Sequence, residues 1–454
     1  MTRRELLARA SAWASSSAVL RGQHAAGRQD HPRASSGPFE SDADISLRIG
    51  ELHLDLAPGR TVKTLAYNGQ VPGPLLRARR GRPLTVDVWN DTGDEDIVHW
   101  HGLHIPSDVD GVYEQGTPGV PPGGGRRRYS FTPDPAGTRW YHSHNHAGTN
   151  LNKSTYTGQF GMLVVESGDD PGAYDQEIPI LLHEWEPRFI TTGPRDVEFK
   201  YFSVNGKMLG GGEPLRVRAS QRVLFRIVNA SATLPHQLAL PGHRFRVIAL
   251  DGNPVPRPMS VPVVDVAPGE RVDAIVEMTR PGVWVFGSLK APSRAAGMGI
   301  VVEYADQAGP PRWEEPARAP WNYTAFGGSD PVREPDGRLT LAFKAKADGH
   351  HWMINGKGYP DAAPIVVEAN RRYRWLLDNQ SADPHPVHLH RHTFELVSVA
   401  GRPTSGVLKD VVVVPAWNHV EIDVPTTQPG LSLFHCHQQF HMDMGFMTMM
   451  RYST

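Results

Sequence analysis

The chain has 454 residues, 39% of them hydrophobic, with 47 basic and 48 acidic side chains that leave a formal charge of −1. That length holds two to four domains, and 45 glycines with 40 prolines suit a many-stranded β protein with frequent turns. The neutral balance argues against nucleic acid as the main partner, no run of about 18 apolar residues offers a membrane span, and a single cysteine, Cys436, rules out an internal disulfide.

At the start, Thr2-Arg3-Arg4-Glu5-Leu6-Leu7 leads a mildly apolar Ala/Ser/Leu stretch to about Leu20. This is the pattern of a twin-arginine export signal, which implies a periplasmic or secreted protein. Residues 1–42 are read as that signal and a polar, disordered leader. An internal repeat follows. Asn68-Gly69, Asn205-Gly206 and Asn355-Gly356 each open a turn, an Arg-flanked strand (Arg82, Arg222, Arg372) and a closing asparagine (Asn90, Asn229, Asn379). Alternating runs such as Leu84-Thr85-Val86-Asp87-Val88 and Val223-Leu224-Phe225-Arg226-Ile227 read as half-buried strands. Three copies predict an all-β chain of three consecutive Greek-key β-sandwich domains, at 43–168, 169–305 and 334–454, with 306–333 as a linker.

Histidines are concentrated within the first and last copies. The 22 histidines would give about one His-x-His pair by chance. Six occur, in His99-Trp100-His101, His142-Ser143-His144-Asn145-His146, His388-Leu389-His390-Arg391-His392 and His435-Cys436-His437. On a strand, imidazoles at i and i+2 share a face about 6.6 Å apart, a spacing suited to neighbouring metal ions. Cys436 points away from His435 and His437, so a thiolate for one metal is bonded through its own backbone to imidazoles for others. One thiolate with two histidines is the ligand set of a blue electron-transfer copper, and His441 can supply one of them. The middle copy has only Leu234-Pro235-His236-Gln237-Leu238-Ala239 at the corresponding place, so it should carry no metal and serve as a spacer.

These motifs, with His385-Pro386-Val387-His388, resemble in order and spacing the four copper motifs of multicopper oxidases, over about residues 45 to 454. The resemblance implies cupredoxin-like sandwiches and four coppers per chain: one type 1, one type 2 and two type 3. It implies a type 1 site of His385, Cys436 and His441, His99 and His388 on the type 2 copper, and His101, His142, His144, His390, His435 and His437 on the type 3 pair. Phe446 falls at the axial position, where a side chain that does not coordinate raises the reduction potential, although Met444 and Met447 lie close enough in sequence to substitute.

Dioxygen reduction consumes protons, so carboxylates are needed near the cluster. Asp110 falls where copper-efflux oxidases keep a relay aspartate, and is alternatively a turn residue before Gly111. Gln439 and Met442 stand where relatives keep an acid, which leaves Asp443 as the substitute. His104, His146 and His392 read as packing or surface residues, and His183-Glu184-Trp185 as a substrate-facing or structural cluster. The resemblance implies a monomeric oxidoreductase of laccase type that couples four one-electron oxidations of phenols or aromatic amines to reduction of dioxygen to water. Oxidation of Cu(I) or Fe(II) is the alternative activity, and a copper store or scaffold, which would be expected to have lost ligands, is the alternative of another class.

Overall fold

Each Asn-Gly pair closes a turn in which both residues are left-handed, with φ of 53° and 66° at Asn68-Gly69, 51° and 74° at Asn205-Gly206, and 51° and 84° at Asn355-Gly356. Asn and Gly are the residues that accept this conformation most readily. In every copy the Asn side-chain oxygen Oδ1 also accepts a backbone N–H from the first long strand, from Arg48, Leu181 and Ala342 in turn. That strand pairs parallel with the one ending at the closing asparagine: Ile45–Ala57 with Leu84–Asn90, Gln176–Phe189 with Arg222–Asn229, and Gly337–Ala345 with Arg372–Asn379. The side-chain amides of Asn90, Asn229 and Asn379 then donate to the carbonyls of Val120, Val266 and Val414. The sequence repeat is thus a repeat of hydrogen bonds, of which those from the closing asparagines are buried.

The computed structural model describes residues 41–168, 173–190, 196–317 and 320–453. The expected export signal lies outside them. Six sheets form three consecutive pairs, from strands within 45–166, 176–304 and 337–452. These are cupredoxin-like sandwiches. One continuous apolar core runs through the second and third, from Ile178 to Met450, while the first has its own around Trp100, Tyr129 and Tyr141. A further cluster joins the first sandwich to the second through Trp140, Phe160, Leu181 and Trp185.

Residues 306–333 do more than connect. They include the 3-10 helix Tyr323–Phe326, whose two end side chains are buried against the main core. No helix among the described residues is long and apolar enough to cross a membrane. The short helix Gln439–Asp443 directly follows the strand Ser432–Cys436, and it places His441 back over the thiol.

Candidate metal centre

Strand pairing brings the histidine motifs together two by two. In the first sandwich Val98–His101 pairs antiparallel with Gly137–Ser143, setting His99 opposite His142. In the third, His385–Leu389 pairs with Ser432–Cys436, setting His388 opposite His435 and Val387 opposite Cys436. The two sets of imidazoles meet: His101 stacks on His388 with ring centroids 3.9 Å apart, and His99 lies 4.1 Å from His390. Ring nitrogens of His144, His390 and His435 all lie within 4.8 Å of one another, as do those of His99, His388 and His390. The His101, His142 and His437 rings form a third group, with centroids 5.2 to 5.7 Å apart.

The outer nitrogens are fixed by hydrogen bonds, and this determines the tautomers. Nδ1 of His99, His142, His388 and His435 bonds the carbonyl of Asp110, Ser143, Asp410 and Cys436 at 2.8, 2.9, 2.7 and 2.8 Å. A carbonyl only accepts, so these Nδ1 atoms carry the proton and Nε2 keeps its lone pair. His101 is turned the other way, with Nε2 3.1 Å from Asp410 Oδ1. The inward nitrogens are buried without a hydrogen-bond partner among the described residues: Nε2 of His99, His142, His144 and His388, Nδ1 of His101, and both nitrogens of His437. An unsatisfied buried polar atom costs about 1–3 kcal/mol, so convergence of this many lone pairs fits metal ions and little else. Burial also depresses the pKa of every one of these imidazoles, that of His388 to about 4, and keeps them neutral as ligands must be.

The second centre is separate. Cys436 Sγ lies 3.8 Å from His385 Nδ1 and 3.7 Å from His441 Nδ1, and those nitrogens are 3.3 Å apart. A point equidistant from the three atoms is about 2.1 Å from each, the length of a bond from a transition metal to nitrogen or sulfur. Burial pushes the Cys436 thiol well above its ordinary range, so only a bound metal would keep it a thiolate at neutral pH. Phe446 is fully buried with its ring 4.9 Å from that of His385, and Trp352 covers both histidines at 4.5 and 4.4 Å. Met447 faces elsewhere, packed with Val112, Leu433 and Met442.

Sequence models of the multicopper oxidase family match residues 49–170, 190–301 and 333–454, and so include all eleven of these residues. The chain belongs to the multicopper oxidase family. This multicopper oxidase is 29% identical over 436 residues to Multicopper oxidase MmcO of Mycobacterium tuberculosis, with 87% of the chain and 84% of the relative covered. It is 26% identical over 506 residues to Laccase-1 of Thanatephorus cucumeris, covering 84% and 85%. Among solved structures, Fet3p, described as a multicopper oxidase that functions in iron import, shares the fold with a TM-score of 0.77 over 90% of each chain at 19% identity. The protein is a copper-binding oxidoreductase.

Around the oxidase's histidines, Asp110 is fully buried with Oδ2 2.9 Å from His390 Nδ1 and 3.5 Å from His99 Nδ1, and its other oxygen has no hydrogen-bond partner among the described residues. Burial pushes its carboxyl up to about 8, against the Arg391 charge and a bond from Gln115. Gly111 is held by more than turn geometry, since a Cβ there would sit 1.8 Å from the Val98 carbonyl. Asp443 is bonded by the Ala147 and Gly148 N–H groups and by the Gln439 amide, and lies 3.4 Å from His146, which also bonds Glu114. His104 and His392 bond Thr393 and Tyr452. In His183-Glu184-Trp185, Glu184 accepts the N–H groups of Thr233 and Leu234, and Trp185 donates to Ser203, all inside the packing.

Asp410 and Arg271 were not expected from the sequence. Arg271, in the middle sandwich, grips both Asp410 oxygens at 2.5 and 2.6 Å, while Asp410 holds His101 by its side chain and His388 by its carbonyl. Burial raises the Asp410 carboxyl, but the Arg271 charge outweighs it and keeps the group below its ordinary pKa. The middle sandwich is therefore more than a spacer. Lys409-Asp410 ahead of Val411–Val414, a charged pair beside an apolar run, was the one local signal.

Proposed function

We propose that this oxidase is laccase-like, taking single electrons from phenols or aromatic amines at the Cys436 site and delivering them to dioxygen at the histidine cluster. His385, Cys436 and His441 would hold the type 1 copper, His99 and His388 the type 2 copper, and the His101, His142, His437 and His144, His390, His435 groups the type 3 pair. Copper, when bound, supplies one-electron chemistry at the first site and binding and reduction of dioxygen at the second. The backbone from Cys436 to His435 and His437 joins the two sites by covalent bonds alone. Asp110, raised by burial and touching His390, would hold a proton for the oxygen side; Asp443 would serve the outer side through Gln439.

The observation that supports the donor class is Phe446 beside His385, which offers no lone pair to the Cys436 site and so favours a high potential. A Cu(I) oxidase would profit from open thioethers, whereas Met442, Met447 and Met450 are buried in packing and Met444 and Met449 are half-buried against it. Export through the Arg3-Arg4 segment would place the enzyme outside the cytoplasm. Copper-loaded protein should contain four coppers per chain and show a blue absorption band with a coupled pair silent by EPR. Oxygen uptake should be faster with phenols and aromatic amines than with Cu(I) or Fe(II), and the reverse ranking would overturn the donor assignment.

A further inference from the structure

His385, Cys436 and His441 are 0%, 0% and 5% exposed, so an electron from a donor in solvent must cross protein. Covalent and hydrogen-bonded steps carry electron tunnelling much better than gaps through space. One such route reaches the surface. His385 Nε2 lies 2.9 Å from Ser381 Oγ, and with Nδ1 turned to Cys436 it is Nε2 that carries the proton and donates. Ser381 Oγ passes its own hydrogen to Asn379 Oδ1 at 2.7 Å. The Ser381 carbonyl in turn accepts the backbone N–H of Trp417 at 3.0 Å.

Trp417 is the most exposed large apolar side chain among the described residues, at 69%, and its φ is 53°. A bulky side chain in the left-handed region is an outlier that strains the backbone. The internal repeat shows what the position otherwise holds. By strand register, in which Trp89, Val228 and Asp378 face Arg126, Arg271 and His419, the residue at the place of Trp417 in the first sandwich is Gly124, with φ of 87° and its N–H on the Asn90 carbonyl. In the second sandwich the same turn has Gly269, with φ of 85° and its N–H on the Asn229 carbonyl. Glycine thus occupies the turn in the two sandwiches without a thiolate, and tryptophan replaces it in the one that has Cys436. The turn is also pinned, because Asn379 bonds both the Pro415 carbonyl and, through its own N–H, the Asn418 carbonyl.

We propose that Trp417 is the docking face for aromatic donors, whose ring stacks on the indole and passes its electron along the Trp417, Ser381 and His385 hydrogen bonds. This rests on the laccase-like reading. The occupant is a planar, electron-rich arene, since a fixed and exposed indole offers a stacking surface and no charge or lone pair for a bare metal ion. In each transfer the arene loses one electron toward His385; a phenol also releases its hydroxyl proton to bulk water, a neutral aromatic amine leaves as the radical cation, and dioxygen, which takes four such electrons and four protons from solvent to give two waters, is the final oxidant.

The test compares wild type, Trp417→Asn and Trp417→Phe as copper-loaded proteins. Asparagine suits the left-handed turn, so the fold is kept and the melting temperature should rise. Calorimetric titration of the fully reduced, oxygen-free proteins with N,N-dimethyl-p-phenylenediamine should give a Kd at least fivefold weaker for Trp417→Asn, with Trp417→Phe recovering most of the loss. In air, kcat/KM for the same amine should fall about tenfold, while copper content and the blue band stay as in wild type. Ser381→Ala should lower kcat and leave the Kd unchanged. If wild type oxidises the amine and Trp417→Asn binds and oxidises it equally well, the docking face is wrong and the laccase-like reading stands. If wild type oxidises Fe(II) or Cu(I) and no arene, both are overturned.

Discussion

Phe446 and Met447 are adjacent in sequence, yet the chain turns one to His385 and the other, the first residue of the strand Met447–Tyr452, to Val112 and Leu433. Phe446→Met should therefore bring a weak thioether ligand to the Cys436 site and lower its reduction potential, about 59 mV for each tenfold change in equilibrium. Met447→Leu should leave it unchanged, and a redox titration separates the two. Glu184 supplies a test of pH dependence away from the metal ligands. Burial pushes its carboxyl up to about 8, although Thr233 and Leu234 donate to one of its oxygens. A carboxyl raised in the folded state is protonated there, so its contribution to stability is complete below about pH 4.5 and declines as the pH rises toward 8, by up to about 1.4 kcal/mol per unit. Glu184→Gln should melt higher than wild type at pH 8 and almost equally at pH 4.5 by scanning calorimetry. At this scale the sequence displayed the side chains that converge, because ten histidines and a cysteine stand in fixed short motifs. It concealed Asp410, an ordinary aspartate until the fold buries it between His101 and Arg271.

Short elements convert those motifs into a site. The His-x-His spacing and the Asn-Gly turns were legible because strand alternation and left-handed turns are local rules. Which strand lies beside which was not, since pairing of residue 99 with 142 or 388 with 435 depends on the whole sandwich. The segment 306–333 likewise reads as a linker, but its Tyr323 hydroxyl bonds Glu270 at 2.5 Å and its Phe326 is buried. The turn at Gly269 shows how little room the second sandwich leaves. A Cβ there would lie 2.6 Å from the His437 ring, and φ is 85°. Gly269→Ala should push His437 aside and reduce cluster copper while the blue band remains, which metal analysis beside the visible spectrum will show. Retention of all four coppers would mean that the turn yields instead.

At the scale of the whole molecule, a buried charge network holds the three sandwiches at one point. Arg271 bonds Asp410 and the Thr138 carbonyl, Arg139 bonds the Asp251 carbonyl, and Lys409 pairs with Asp251 and Glu270 at 3.0 and 3.1 Å. Removing one partner leaves another charge buried and alone, a loss of about 3–5 kcal/mol. Asp410→Asn should lower stability to denaturant by that order and release copper from the cluster before the Cys436 site, as followed by EPR during unfolding. The span of the cluster also has a consequence for biogenesis. Its imidazoles extend from residue 99 to residue 437, so during synthesis the first half of the cluster waits, incomplete, until residue 437 is made. The Cys436 site draws only on residues 385 to 441 and closes within one sandwich. Copper can settle there as soon as that unit folds, whereas the oxygen-binding metals must arrive after the first and third sandwiches have met, which makes catalytic competence a late event of maturation and a check that both sandwiches have folded.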